Sequence, residues 1–121
     1  MPCANGTYKG RYAFTGTGFV TNHTVSPPSP PEPIAVVGHF KADGKGNIIG
    51  SQTRSFQGAI FNEIFTETYK INPDCTGSSK KHLTSTTITT NWHFVILRAG
   101  EAILSTEADK DRALTIRAER M

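Results

Sequence analysis

The sequence predicts an all-β fold, an eight-stranded antiparallel up-and-down barrel, and three observations predict it. The chain is dense in Thr, Gly, Phe and Ile and almost free of helix signals. Turn residues interrupt it about every ten residues, the spacing of short strands joined by tight turns. Strands in simple succession leave two open edges, and closing the first strand onto the last removes them. A two-sheet sandwich is the competing arrangement. At 121 residues the chain is read as one domain, 1–121, long enough to bury about two thirds of the surface its unfolded form exposes.

In chain order the strands are expected near 7–15, 34–42, 47–56, 59–71, 78–87, 91–98, 101–107 and 112–120. The first places Tyr8, Tyr12 and Phe14 on one face and Lys9 and Arg11 on the other, so the aromatic side points inward. A proline-rich loop at 21–33, "TNHTVSPPSPPEP", follows; it is stiff where it approaches polyproline geometry, and it reads equally as an insertion or as a functional loop. The second strand is apolar on both parities around "AVV", which leaves His39 beside Phe40 without an assigned face. Asp43-Gly44-Lys45-Gly46-Asn47 supplies the residues that a tight hairpin to the third strand needs. Over 59–71 a helix competes, since Phe61, Phe65 and Tyr69 also fall at helical spacing, but Thr66, Thr68 and the Asn72-Pro73 that follows favour a strand. Further breaks fall at Asn72-Pro73-Asp74, Thr90-Asn91, Ala99-Gly100 and Asp109-Lys110-Asp111. The sixth strand alternates Trp92, Phe94 and Ile96 with Val95 and Leu97, and His93 is as unassigned there as His39 is on the second. A barrel wall has one dry side, so this surplus predicts a homo-oligomer or a covering loop. On the last strands Arg98, Glu101, Glu107, Arg117 and Glu119 read as cross-strand ion pairs.

The net charge of +3 is scattered, and Lys80-Lys81 is the one adjacent basic pair. No basic stripe points to nucleic acid. No apolar run approaches the roughly 20 residues of a membrane span, and no signal peptide is read in this chain. The triplets Asn5-Gly6-Thr7 and Asn22-His23-Thr24 match glycosylation acceptors and suit a secreted mature form, so the compartment stays open. The two cysteines, Cys3 and Cys75, lack metal or redox-motif spacing, and they are either free thiols or one disulfide. In an up-and-down barrel both fall at one end, which predicts Cα atoms within the about 4.4–6.8 Å that a disulfide spans. The proline-rich loop belongs to the opposite rim, the natural mouth, as a lid.

Four phrases together, "GTYKGRYAFTGTG", "VVGHFKADGKGNIIGS", "ETYKINPDCTG" and "FVILRAGEAILSTEAD", resemble a group of small, largely uncharacterised bacterial proteins. That group shares a Gly-Thr-Tyr opening, an Asp-Gly-Lys-Gly-Asn hairpin and an Asp-Cys-Thr-Gly turn. The resemblance implies a small antiparallel barrel and brings no established activity. Members of the group look secreted and carry a cysteine just before the Gly-Thr-Tyr segment; Cys3 matches it, but the leader is missing here. In architecture alone the predicted barrel is similar to calycins and to the allene oxide cyclase type. Those families include ligand carriers and cyclases that fold a flexible substrate inside the barrel.

The chemistry turns on strand four. With a period of two, Phe61, Glu63, Phe65, Glu67, Tyr69 and Ile71 share one face, and if that face is the lumen two carboxylates sit among aromatic rings. The opposite parity would turn Ile60 and Ile64 inward and leave both glutamates in water. A desolvated carboxylate resists ionisation, and its raised pKa makes it an acid or base near neutral pH. Glu63, Glu67 and Tyr69 are therefore the candidate catalytic residues, and Tyr8, Tyr12, Phe14, Phe40, Phe61, Phe65 and Trp92 the candidate substrate-binding ones. An inward Arg54 on the neighbouring strand would instead make the pair a charged ligand clamp, which favours simple binding over catalysis. No zinc spacing, no Gly-x-Ser-x-Gly and no cofactor motif is present, so neither metal nor cofactor is expected. The expected function is an acid–base enzyme of the cyclase or isomerase kind, acting on a hydrophobic small molecule enclosed in the barrel. The alternatives are a lipocalin-like carrier of a hydrophobic ligand and a structural module with a filled interior.

Overall fold

A computed structural model describes residues 2–21, 30–84 and 86–121. Most of the proline-rich connection, including the Asn22 triplet and the expected lid, lies outside the described residues. Eight antiparallel strands close into a barrel in the order β1-β2-β3-β4-β5-β6-β7-β8: β1 (Lys9–Val20), β2 (Glu32–Asp43), β3 (Asn47–Phe56), β4 (Ala59–Ile71), β5 (Thr76–Leu83), β6 (Thr89–Leu97), β7 (Ala102–Glu107) and β8 (Arg112–Arg120). The β1–β8 seam runs from Tyr12 opposite Arg120 to Val20 opposite Arg112, so every strand has two partners. Two strands, β1 and β5, depart furthest from their expected ranges. β1 continues past Thr15 to Val20 because Gly16 and Gly18 take inward positions on the wall rather than breaking it. β5 ends at Leu83, where Leu83 N–H donates to Ile88 O at 3.1 Å and Thr86 N–H donates to Leu83 O at 3.1 Å, forming the turn into β6.

Glycine makes room for rings inside the wall. Phe65 on β4 lies directly opposite Gly50 on β3, and Phe94 on β6 lies opposite Gly77 on β5. A Cβ at Gly50 would stand 2.6 Å from the Phe65 ring, and one at Gly77 would stand 2.4 Å from the Phe94 ring. Phe14 opposite Gly38 repeats the pairing across β1 and β2. Each bare backbone position lets a large ring lie flat against the neighbouring strand, which keeps a narrow barrel filled at interior density.

The two ends are built differently. At the end carrying the 43–47, 72–75 and 98–101 turns, the N-terminal segment folds across the opening. Its Cys3 is disulfide-bonded to Cys75, with Cα atoms 5.0 Å apart. Cys3 N–H donates to Pro73 O at 3.0 Å, and Ile71 N–H donates to Asn5 Oδ1 at 3.1 Å. Beneath that segment Tyr8 packs against Tyr12, Tyr69, Phe94 and Phe40, with ring centroids 5.3, 4.9, 5.6 and 6.0 Å away. The Asp43 carboxylate closes the β2–β3 hairpin by accepting from Lys45 N–H at 2.7 Å and Asn47 N–H at 3.0 Å. Toward the opposite end the inner wall becomes charged, under an apolar collar of Ile34, Trp92 and Leu114 with Val20 and Phe56 packed against it.

Candidate functional site

The inward positions of β3, β4 and β5 carry the charges. Gln52 lies opposite Glu63, and Arg54 lies opposite Phe61, across β3–β4, and Glu67 lies opposite Lys81 across β4–β5. Arg54 grips Glu63 with both ends of its fork: Nε donates to Oε1 at 2.9 Å and a terminal nitrogen donates to Oε2 at 2.9 Å. Gln52 Nε2 adds a third donor to Oε1 at 3.0 Å. Hydrogen bonding from Arg54 above all holds the buried Glu63 carboxyl below its ordinary pKa, against the pull of desolvation. Glu63 is thus a fixed anion, paired with an Arg54 that points inward.

Glu67 is in the opposite state. The residue is half-buried, Lys81 is the one charge that favours its ionised form, and desolvation pushes its pKa up to about 7. Lys81 is 6% exposed and donates to Gln52 Oε1. Its ammonium sits 4.2 Å from the centre of the Phe65 ring, 5.2 Å from Phe14 and 5.9 Å from Trp92. Burial lowers the Lys81 pKa, opposed chiefly by Glu67 and then by Glu63 and Glu107. A cavity of about 30 Å³ opens between these groups, walled by Phe14, Phe40, Phe65, Trp92, Glu67 and Lys81. That is room for about two water molecules.

Of the residues singled out from the sequence, Glu63, Glu67, Phe65, Phe14, Phe40, Tyr8 and Trp92 face the lumen, and Glu67, Phe65, Phe14, Phe40, Tyr8 and Trp92 meet at the cavity. Tyr69 is buried, but its hydroxyl is committed to the backbone, donating to Tyr8 O at 2.7 Å. Tyr12 likewise donates to Gly100 O at 2.5 Å, deep in the closed end. Phe61 has the inward parity yet is 40% exposed at the rim, where Arg54 lies over its ring at 4.3 Å. His39 and His93 are exposed; His39 points outward because its neighbours Gly38 and Phe40 take the inner positions.

Lys81, Gln52 and the Glu107–Arg112 pair were not singled out. Lys81 left a signal: adjacent residues of a strand face opposite sides, so one of Lys80 and Lys81 had to enter the barrel. Glu107, read as a surface ion-pair partner, is buried near the mouth against Arg112. Arg112 Nε meets one Glu107 carboxylate oxygen in a close ion pair. Desolvation pushes the Glu107 pKa up to about 7, with Arg112 acting against it. Of the residues expected in cross-strand ion pairs, Glu101 pairs with Arg120 of β8 at 2.8 Å, whereas Arg117 and Glu119, 3.4 Å apart, lie on the same strand.

Among the described residues no cluster of three or more His, Cys, Asp or Glu is placed to hold a metal ion, and no helix is long and apolar enough to cross a membrane. Compared with family models, curated proteins and solved structures, the chain matches none.

Proposed function

We propose that the barrel is an acid–base enzyme of the isomerase or cyclase kind, acting on a small molecule in the Glu67 cavity with Glu67 as the proton carrier. One observation carries the reading: a carboxyl with a pKa of about 7 borders a cavity walled by aromatic rings. An acid whose pKa lies near the working pH is half protonated there, so it can both give and take a proton. Glu63, locked by Arg54 and Gln52, is a fixed charge and not a proton carrier. Tyr69 contributes packing, because its hydroxyl is occupied by the backbone.

The cavity narrows the substrate. Carriers of drug-sized hydrophobic ligands use pockets of about 300–1,000 Å³, and about 30 Å³ favours a compact reactant over a long apolar chain. The likeness to allene oxide cyclase barrels rests on architecture alone and supports the reading no further than that. We also propose self-association: on the outer wall Val95 and Leu104 lie opposite each other, 43% and 41% exposed. Sedimentation at rising concentration tests it, with a dimer or larger assembly expected and a monomer throughout contradicting it.

The catalytic reading is tested by incubating the protein in heavy water with small carbonyl compounds, alkenes and epoxides. Deuterium incorporation and isomerised product are followed by mass spectrometry and NMR. Turnover that falls by about 10²–10⁴-fold in Glu67→Gln, with ligand affinity kept, is the expected result. Equal turnover in wild type and Glu67→Gln contradicts it, as does the absence of turnover across the panel.

A further inference from the structure

The acid–base reading leaves one buried reactive group unused. We propose that Lys81 is a carbonyl-trapping lysine, whose ε-amine forms an imine with a short-chain aldehyde or ketone admitted to the cavity it borders. The inference rests on the acid–base reading in one respect, the use of Glu67 as its proton partner. The rest comes from the surroundings of Lys81.

Lys81 is buried on the inner wall of β5, yet among the described residues no carboxylate lies within ion-pair distance of it. A buried lysine kept for stability alone is ordinarily paired directly. Among the described residues its one hydrogen bond goes to a neutral amide oxygen, that of Gln52. Two of its three donor positions are therefore uncommitted, on the side walled by Phe65, Phe14 and Trp92. The charged groups around it are Glu67, opposite on β4, Glu63 and Arg54, which neutralise each other, and Glu107 near the mouth, paired with Arg112. Desolvation favours the free amine, the form that attacks carbon.

The steps balance. Through a water in the cavity, which bridges groups too far apart for direct contact, the Glu67 carboxylate takes a proton from the ammonium, and the nitrogen lone pair adds to the carbonyl carbon. The carbonyl π electrons move to oxygen, which gains a proton from the nitrogen, giving a neutral carbinolamine. Glu67 then returns its proton to the hydroxyl, water leaves, and the nitrogen lone pair closes the C=N bond. In sum, one ammonium and one carbonyl give one protonated imine and one water, with Glu67 restored. The protonated imine is again a cation, and the rings that now face the ammonium would face it too. A cavity of about 30 Å³ admits a reactant of a few heavy atoms and excludes an aryl aldehyde.

Lys80, the exposed neighbour on the outer wall, is the internal control. The wild-type protein is treated near neutral pH with acetaldehyde and cyanoborohydride, which reduces the imine to a stable secondary amine. Peptide mapping then compares labelling at Lys81 and Lys80. Lys81 is expected to label several-fold faster, because desolvation favours its free amine, and benzaldehyde is expected to reverse that preference. Equal labelling of the two lysines by acetaldehyde, or labelling of Lys80 alone, overturns the assignment; so does equal success with benzaldehyde. Trapping is stoichiometric and read on the lysine itself. A barrel that traps without turnover therefore supports Lys81 while contradicting the catalytic reading, and one that turns over substrate without trapping refutes Lys81 alone.

Discussion

The two halves of the lumen solve the same packing problem with opposite chemistry. In the closed half Tyr8, Tyr12, Phe40, Tyr69 and Phe94 meet edge to face, tilted or, for Tyr12 on Phe40, stacked, and the Tyr12 and Tyr69 hydroxyls end on backbone carbonyls. In the mouth half Gln52, Arg54, Glu63, Lys81, Glu107 and Arg112 occupy inward positions of β3, β4, β5, β7 and β8. A barrel can be filled with rings alone, as its own closed half demonstrates. Burying ions costs several kcal/mol each before pairing. Their concentration in one half, incompletely paired at Glu67 and Lys81, is what separates a site from a core.

The largest effect should come from the closed half. Phe40→Ala removes a ring packed on Tyr8, Tyr12 and Phe14 and should cost about 3–5 kcal/mol in denaturant unfolding. A loss under about 1 kcal/mol would mean that this half is not the core. Next, reducing Cys3–Cys75, which joins residues 72 apart in sequence, should cost about 2–5 kcal/mol and lower the melting temperature. The pKa at Glu67 should not move, since the disulfide closes the other end. A shift there on reduction would couple the two halves.

Glu63→Ala leaves the Arg54 fork unpaired, with its side chain only 17% exposed, and should destabilise by about 3 kcal/mol. The double change Arg54→Met with Glu63→Leu should be nearly neutral, because it removes both desolvation costs. A double variant as unstable as the single one would show that the pair contributes more than its own neutralisation. At the small end, His39→Ala removes an exposed contact to Ser51 at 3.1 Å and should stay within about 0.5 kcal/mol.

Much of this division was legible in the sequence. Period-two parity placed Tyr8, Tyr12, Phe14, Phe65 and Tyr69 inside, and topology placed Cys3 beside Cys75. Parity also brought Glu63 and Glu67 inward, but it could not separate their states, because those depend on Arg54 and Lys81 from two different neighbours. Where both parities are apolar, as around His39 and His93, alternation carries no direction, and inward glycines settle it instead. Gly38 and Gly77 look like strand weakeners until the ring opposite each is known. Phe61 has the right parity and the wrong depth, for a strand's pattern says which side a residue faces and not how far the lumen extends.

The pH dependence of stability separates the two glutamates further. Glu67 in the folded barrel holds a proton that the unfolded chain releases near its ordinary 4.5. Its contribution is therefore full below that value and is lost as pH rises through about 7, on the order of 3 kcal/mol. Glu107 acts in the same direction. Glu63, depressed by Arg54, acts oppositely: its contribution is present above the ordinary value and lost as pH falls. Glu67→Gln should therefore stabilise the barrel at alkaline pH and flatten the decline.

The most direct measurement is a carbon-13 NMR titration of the glutamate side-chain carboxyls, assigned with Glu67→Gln and Glu63→Gln. Glu67 should titrate with a midpoint at about 7, while Glu63 titrates below the ordinary carboxylate range. A Glu67 midpoint in the ordinary carboxylate range would mean that water reaches it freely, and the proposed proton carrier would be an ordinary surface acid.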